Sequence, residues 1–112
     1  MPERHFACAV EDLSPGSSML VEGTEPPVAL HRTESGEFFA TADSCTHEEF
    51  SLSDDGEIEG TELVCPLHMA RFDLPTGAPL CLPATIALAT YGVEVDDGNA
   101  YVVVQAPLQS VD

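Results

Sequence analysis

Two short cysteine–histidine pairs constrain this chain more than any other feature of its sequence. Cys45 and His47 form the first pair, Cys65 and His68 form the second, and seventeen residues separate the pairs. The pairs use two of the chain's four cysteines and two of its four histidines. Scarce residues in two matched pairs indicate a shared metal centre, so we expect the fold to bring the two pairs together.

Two thiolates and two imidazoles leave two kinds of metal centre open. One is a single Zn²⁺ ion in a tetrahedral site of two sulfurs and two nitrogens. The other is a two-iron cluster with two thiolates on one iron and two imidazoles on the other. Zinc sites usually combine a Cys-x-x-Cys pair with a pair of histidines, whereas each pair here supplies one sulfur and one nitrogen. A mixed pair on each turn favours the two-iron cluster, in which the two cysteines bind the inner iron.

Short apolar segments with a period of two predict β-strands on both sides of the pairs. We expect strands at residues 6–10 and in the segments SMLVEG, PPVALHRT and EFFATAD. A hairpin turn at Ser35-Gly36 leads into EFFATAD. Near the end of the chain, LATYGVEV and AYVVVQA read as two strands joined by the turn at residues 96–99.

The segment between these strands has a different character. Residues 43 to about 79 are rich in turn residues and poor in alternation, and SLSDDGEIEGTELV within them predicts a short hairpin or a helical turn. The sequence therefore predicts an all-β fold in a single domain of residues 1–112. We expect an antiparallel sandwich or barrel with an inserted, loop-rich, metal-binding subdomain at about 43–79 that contains both pairs.

The charge of the chain limits its partners. It has 20 acidic and 3 basic residues, a net charge of −17, which excludes electrostatic binding to nucleic acid or to an anionic membrane. The start, MPERHFACAVEDL, has neither the basic nor the apolar region of a signal peptide, and no apolar run is long enough to span a membrane. We expect a cytoplasmic protein whose cysteines are ligands or free thiols.

The two pairs resemble the signature of a known family. CTH at 45–47, followed after seventeen residues by CPLH at 65–68, is similar to the Rieske iron–sulfur motif, and LSDDG (52–56) and RFDLPTG (71–77) also resemble that family. The resemblance implies the family's β-fold and one Rieske-type 2Fe–2S cluster. The residues that match its ligands are Cys45, His47, Cys65 and His68.

The size of the chain is similar to that of the soluble Rieske ferredoxins of bacterial aromatic-ring dioxygenase systems. The resemblance implies a monomeric electron carrier rather than an enzyme. It would take one electron at a time from a flavoprotein ferredoxin reductase and pass it to the Rieske centre of the terminal oxygenase. Two alternatives stay open: a small Rieske subunit of another oxidoreductase, such as arsenite oxidase or nitrite reductase, and a structural zinc module for protein interaction.

A comparison with the high-potential Rieske proteins of respiratory chains predicts a low reduction potential. Those proteins carry a disulfide at positions that resemble Phe50 and Leu67, and hydroxyl donors at positions that resemble Ala70 and Phe72. With fewer donors, the reduced cluster is less stabilised. We expect a potential near the lower end of the Rieske range, about −150 mV.

The remaining cysteines and histidines have simpler interpretations. Cys8 and Cys81 are expected to be small buried apolar residues, as unpaired cysteines often are. His5 and His31 have no cysteine beside them and are expected to be strand or surface residues.

Overall fold

Antiparallel β-strands make up most of the part of the chain that the computed structural model describes, which is residues 2–21, 23–24, 27–43, 51–65, 70–81 and 87–105. The strands are β1 (Pro2–Ala9), β2 (Ser18–Val21), β3 (Val28–Arg32), β4 (Phe38–Ala42), β5 (Glu57–Glu59), β6 (Glu62–Cys65), β7 (Ala70–Asp73), β8 (Pro79–Cys81), β9 (Thr90–Asp96) and β10 (Asn99–Gln105). A 3-10 turn at Val10–Asp12 and a single helical turn, α1 (Leu52–Asp55), are added to them. The predicted all-β class is confirmed.

Six strands form the larger sheet, in the order β1-β10-β9-β4-β3-β2. β4 and β9 join its two halves through the pairs Ala40–Tyr91 and Thr41–Thr90. One face of this sheet carries a core whose buried residues are Cys8, Leu13, Val21, Val28, Leu30, Ala40, Ala100 and Val102. The strands expected from the alternating segments are all present in this sheet.

The β9–β10 hairpin follows directly from its turn residues. Asp96 pairs with Asn99, so the connection consists of Asp97 and Gly98 alone. Both have positive φ, 54° and 79°, as a type I′ turn requires. The Asp-Gly sequence adopts this geometry readily, because glycine has no Cβ and aspartate tolerates the left-handed region.

Four shorter strands form the second sheet, in the order β5-β6-β7-β8. The segment that the sequence marks as turn-rich is thus more regular than its composition suggests, and SLSDDGEIEGTELV contains both a helical turn and a hairpin. α1 packs against β2 and β3 of the larger sheet. The second core has as its buried members Leu52, Leu63, Cys65, Ala70, Phe72, Leu74 and Leu88.

The β3–β4 pair lies between the two cores. Phe39 packs against the second core, and its cross-strand partner is His31. His31 is completely buried, so of the two settings expected for it the strand is right and the surface is wrong. Among the described residues, no helix has both the length and the apolar character that crossing a membrane demands.

Candidate metal centre

Cys65 is the one residue of the two cysteine–histidine pairs that lies within the described part of the chain. It is the last residue of β6, and it pairs with Ala70, the first residue of β7. Its side chain is fully buried in the second core, together with Leu52 and Phe72. The Cys65 side chain therefore lies among apolar residues.

The β6–β7 pairing fixes where the second pair begins and ends. Because Cys65 and Ala70 are paired, the second ligand segment (66–69), which contains His68, connects two adjacent strand ends. The segment itself lies outside the described residues. The next inward-facing pair along the ladder is Leu63 and Phe72, both fully buried. Ala70 and Phe72 stand at the positions that resemble those of the hydroxyl donors in high-potential Rieske proteins. Both side chains lie in the same core as Cys65.

The first ligand segment (44–50) contains Cys45 and His47 and also lies outside the described residues, but hydrogen bonds join the residues that border it. Asp43 precedes it and Ser51 follows it. The Leu52 N–H donates to the Asp43 carbonyl oxygen at 2.7 Å. The Asp43 carboxylate accepts the Ser51 hydroxyl at 2.9 Å and the Ser53 N–H at 2.8 Å. Three hydrogen bonds therefore hold the two ends of this segment together.

The ends of both ligand segments meet in one place. Leu52, just beyond the first segment, packs in the same core as Cys65 and Ala70, which border the second. Residues far apart in the sequence are thus brought together by burial of apolar side chains. A buried thiol close to the bordering residues of both ligand segments is compatible with one ligand of a two-iron cluster.

Hydrogen bonds join the RFDLPTG segment to the β5–β6 turn and to residue 88, which lies just before β9. After β7, the Leu74 N–H donates to the Thr61 carbonyl oxygen at 2.9 Å, and the Leu88 N–H donates to that of Gly77 at 2.8 Å. Gly77 has φ +78°, and a Cβ there would meet the Leu88 carbonyl oxygen. The close approach of residues 77 and 88 requires a glycine.

Charged groups surround the second sheet. Arg71, the partner of Val64 in the ladder, pairs with Glu59 at 2.9 Å and Glu62 at 3.1 Å. These carboxylates raise the pKa of Arg71, and the arginine links β7 to the β5–β6 hairpin. The only positive side chain of this sheet is thus neutralised within the sheet, as far as the described residues show.

The other residues singled out in the sequence lie apart from this region or beyond what is described. Cys8 is a free, buried thiol of the first core, as expected, and burial raises its pKa. Cys81 ends β8, and its side chain is not among those described. Asp43 was not among the predicted site residues, because only its contacts with Ser51 and Ser53 reveal its place at the first ligand segment.

Comparison with known proteins places the chain among iron–sulfur proteins. The family model for the Rieske 2Fe–2S domain matches residues 3–92. A 3-phenylpropionate/cinnamic acid dioxygenase ferredoxin subunit from Photorhabdus laumondii is 48% identical over 99 residues, which are 88% of this chain and 92% of that protein.

Solved structures agree with this assignment. A chain in the complex of reduced oxygenase and oxidized ferredoxin of carbazole 1,9a-dioxygenase superposes with a TM-score of 0.83 at 36% identity, covering 95% of this chain and 97% of that one. A small subunit described as that of an NADH-dependent nitrite reductase from Mycobacterium tuberculosis has a TM-score of 0.85, covering 96% of this chain and 99% of that one. At 22% identity, the latter likeness shows the fold alone.

The family match and the ferredoxin relatives define an iron–sulfur protein for electron transfer. The chain belongs to the Rieske 2Fe–2S domain family. Its cofactor is one Rieske-type 2Fe–2S cluster, and it is an electron carrier of the ferredoxin class rather than a catalytic oxygenase. This family assignment excludes the zinc module that the ligand set alone left open.

Proposed function

We propose that this ferredoxin takes one electron at a time from a flavoprotein reductase and delivers it to the Rieske centre of a terminal aromatic-ring dioxygenase. The relative with 48% identity is the ferredoxin subunit of a 3-phenylpropionate/cinnamic acid dioxygenase, so an oxygenase of that type is the first partner to test. The nitrite reductase alternative has weaker support, because the likeness to that subunit is only 22% in sequence.

Cys45, His47, Cys65 and His68 are the proposed ligands of the cluster. The observation that carries this proposal is the burial of Cys65 in one core with Leu52 and Ala70, which brings the ends of both ligand segments together. Two ferric ions, two sulfides, two thiolates and two neutral imidazoles sum to zero charge. The bound cluster accepts one electron more readily than a four-thiolate cluster, because a neutral site becomes only singly negative.

The proposal extends to the domain organisation, the oligomeric state and the cellular location of the protein. Residues 1–112 act as a single Rieske domain, with a cluster-binding subdomain at about 43–79 set into a β base domain. The carrier works as a monomer in the cytoplasm, where a small interface allows rapid release from each partner. Analytical ultracentrifugation of the iron-loaded protein should give one species of the mass of one chain, and a stable dimer would contradict this.

Electron paramagnetic resonance of the reduced protein tests the ligand assignment. The purified protein should contain two irons and two acid-labile sulfides per chain and show a Rieske-type spectrum. The variants C65S and H68A should lose that spectrum, because each removes one donor. An H68A variant that keeps both the spectrum and the iron count would refute the assignment.

Cys8→Ser provides a matched control for Cys65→Ser. Cys8 is also a buried cysteine, but it belongs to the first core and not to the core that holds Cys65. The C8S variant should therefore keep the iron, the sulfide and the spectrum of the parent. Loss of the cluster in C8S would show that any change to a buried cysteine disturbs the protein, and the effect of C65S would then carry no information about ligands.

Reconstitution tests the partner. The reductase and oxygenase components of a 3-phenylpropionate/cinnamic acid dioxygenase should consume oxygen with substrate only when this ferredoxin is added. Activity with the catalytic subunit of a nitrite reductase, and none with the dioxygenase, would overturn the proposal in favour of the alternative.

A further inference from the structure

We propose that Asp43 is a positioning residue for the cluster, because it fastens both ends of the first ligand segment. This inference rests on the proposed roles of Cys45 and His47. The Asp43 carbonyl oxygen accepts the Leu52 N–H, and its two carboxylate oxygens accept the Ser51 hydroxyl and the Ser53 N–H. Asp43 thus makes three hydrogen bonds that bridge the two ends of the seven-residue segment carrying Cys45 and His47.

Asp43 is itself held firmly. Its N–H donates to the Pro27 carbonyl oxygen at 3.0 Å, and the neighbouring Ala42 N–H donates to that of Ala89 at 2.9 Å. Only 8% of Asp43 is exposed, so water competes little for its carboxylate. Hydrogen bonds to a charged acceptor in such surroundings are stronger than those between neutral groups.

Closing the segment at its base favours cluster binding through entropy. A chain segment whose ends are already joined has fewer conformations to lose when its ligands engage a metal. The hydrogen bonds that join the ends involve protein groups alone, so their formation requires no metal. Asp43 acts through the backbone of the ligand segment and need not touch the cluster.

The carboxylate suits this position because both of its oxygens accept. The Ser51 hydroxyl donates to one oxygen and also lies 3.2 Å from the Ser53 hydroxyl. Asparagine could keep both contacts: its oxygen would accept the Ser53 N–H, and its amide would donate to the Ser51 oxygen, whose proton could turn to Ser53. Alanine can keep neither. Comparing Asp43→Asn with Asp43→Ala therefore separates the effect of the hydrogen-bond geometry from the effect of the negative charge.

The experiment measures how long the iron-loaded protein keeps its cluster in the presence of an iron chelator. Asp43→Ala should lose its visible absorption about tenfold faster than the parent, since groups that orient metal ligands typically affect metal affinity by 10- to 100-fold. Its electron paramagnetic resonance lines should also shift or broaden. Asp43→Asn should stay within about threefold of the parent in lifetime and keep its line positions.

Asp73→Ala serves as the matched control. The Asp73 carboxylate also closes a turn, by accepting the Thr76 hydroxyl at 2.8 Å, but it does so at the end of β7 remote from the second ligand segment. The cluster of Asp73→Ala should have the same lifetime as that of the parent. If D43A does not fold by circular dichroism, Ser51→Ala is the deciding variant, because it removes one of the two donors to the Asp43 carboxylate and keeps the negative charge. S51A should then shorten the lifetime more than D43N does.

A D43A protein with the lifetime and line positions of the parent would overturn the inference, and so would an S51A variant with the parent's lifetime in the case where D43A does not fold. Failure of the proposed ligand set looks different. In that case the unaltered protein would hold no cluster with Rieske-type resonance, or would keep it in H68A.

Discussion

Burial keeps His31 neutral, and two hydrogen bonds define its tautomer. The Thr41 hydroxyl donates its one proton to the Ala42 carbonyl oxygen at 2.9 Å, so it must accept the bond from His31 Nε2, also 2.9 Å long. Nε2 therefore carries the proton, and Nδ1 accepts the Ser18 hydroxyl at 2.7 Å. Burial lowers the pKa of His31 to about 4, although the Asp43 carboxylate acts in the opposite direction.

This lowered pKa predicts a loss of stability in acid that depends on His31. Because the folded pKa lies below the unfolded value of 6.5, the unfolded chain binds more protons between pH 6.5 and 4. His31 therefore lowers the free energy of unfolding by about 1.4 kcal/mol for each pH unit within that window and by nothing above it. Urea denaturation of the parent and of His31→Gln at pH 7.5 and 5.0 should show the parent losing about 2 kcal/mol more than the variant.

The comparison between the two proteins is what makes this test specific. Both carry the same acidic residues, so the effect of protonating surface carboxylates cancels in the difference. Equal pH dependence of the parent and H31Q would contradict a buried neutral histidine.

Gly77 gives a second prediction at the scale of one residue. An alanine there would place a side chain at positive φ and push its Cβ into the Leu88 carbonyl oxygen, which is backbone and cannot rotate away. We expect Gly77→Ala to lower the free energy of unfolding by about 3 kcal/mol or more, of which the positive φ contributes about 1–2. Gly60→Ala is the matched control, because Gly60 has φ +59° and open space around its missing Cβ. Similar losses in the two variants, measured by urea denaturation, would show that the approach to Leu88 is unimportant.

At the scale of strands and turns, local signals predicted the strands of the larger sheet, but within the smaller sheet they indicated only a short hairpin or a helical turn at residues 51–64. The β9–β10 hairpin was predictable because Asp97-Gly98 specifies its turn without help from the rest of the chain. β5 and β8 have three residues each, too few for a period of two to be recognised. Ile58 of β5 packs against a core that contains Leu52 and Leu88, a contact that no local pattern reveals.

The same division applies to the site. The four proposed ligands stand out because scarce residues repeat at short spacing, whereas the burial of His31 depends on Ser18 and Thr41, thirteen and ten residues away on adjacent strands. Asp43 is similar, since its partners Ser51 and Ser53 lie beyond the ligand segment. Contacts of this kind become visible only once the strands are paired.

The β6–β7 ladder carries a prediction about the reduction potential. Ala70 is fully buried opposite Cys65 and offers no hydroxyl, so the potential should lie near −150 mV, at the lower end of the Rieske range. Ala70→Ser should raise it by roughly 60 mV, because one hydrogen bond to the reduced site contributes about 1.4 kcal/mol, or 59 mV for one electron. Protein-film voltammetry measures both values.

Ala100→Ser is the control for this change, since Ala100 is equally buried but belongs to the first core. Its potential should equal that of the parent. A parent potential well above 0 mV would show that other donors compensate for the missing hydroxyl groups, and a fall in potential in A70S would contradict the proposed hydrogen bond.

Across the whole molecule, each of the three basic side chains contacts carboxylates or carbonyl oxygens of the same chain. Arg4 contacts Glu94 and Asp96 at 3.3 and 3.5 Å, and Arg71 pairs with two glutamates of the second sheet. Arg32 donates to the carbonyl oxygens of Val10 and Leu13 at 3.0 and 2.9 Å, and its guanidinium lies over the Phe38 ring. With a net charge of −17 and only these three basic side chains, the protein presents a predominantly negative field to any partner.

That field predicts that electron transfer to and from the partners depends on salt. Attraction between this acidic carrier and a basic docking face on the proposed partners would speed encounter at low ionic strength, and counter-ions would weaken it once the Debye length falls to about 8 Å at 0.15 M. The second-order rate constant for reduction by the partner reductase should fall roughly tenfold between 0.01 and 0.15 M salt. Stopped-flow absorbance of the cluster measures that constant, and reduction by a small uncharged photoreductant, which has no charge to be steered, should change little over the same range. A rate constant independent of salt would contradict electrostatic docking and would favour an apolar contact through Met69 and Phe50, one apolar residue from each ligand segment.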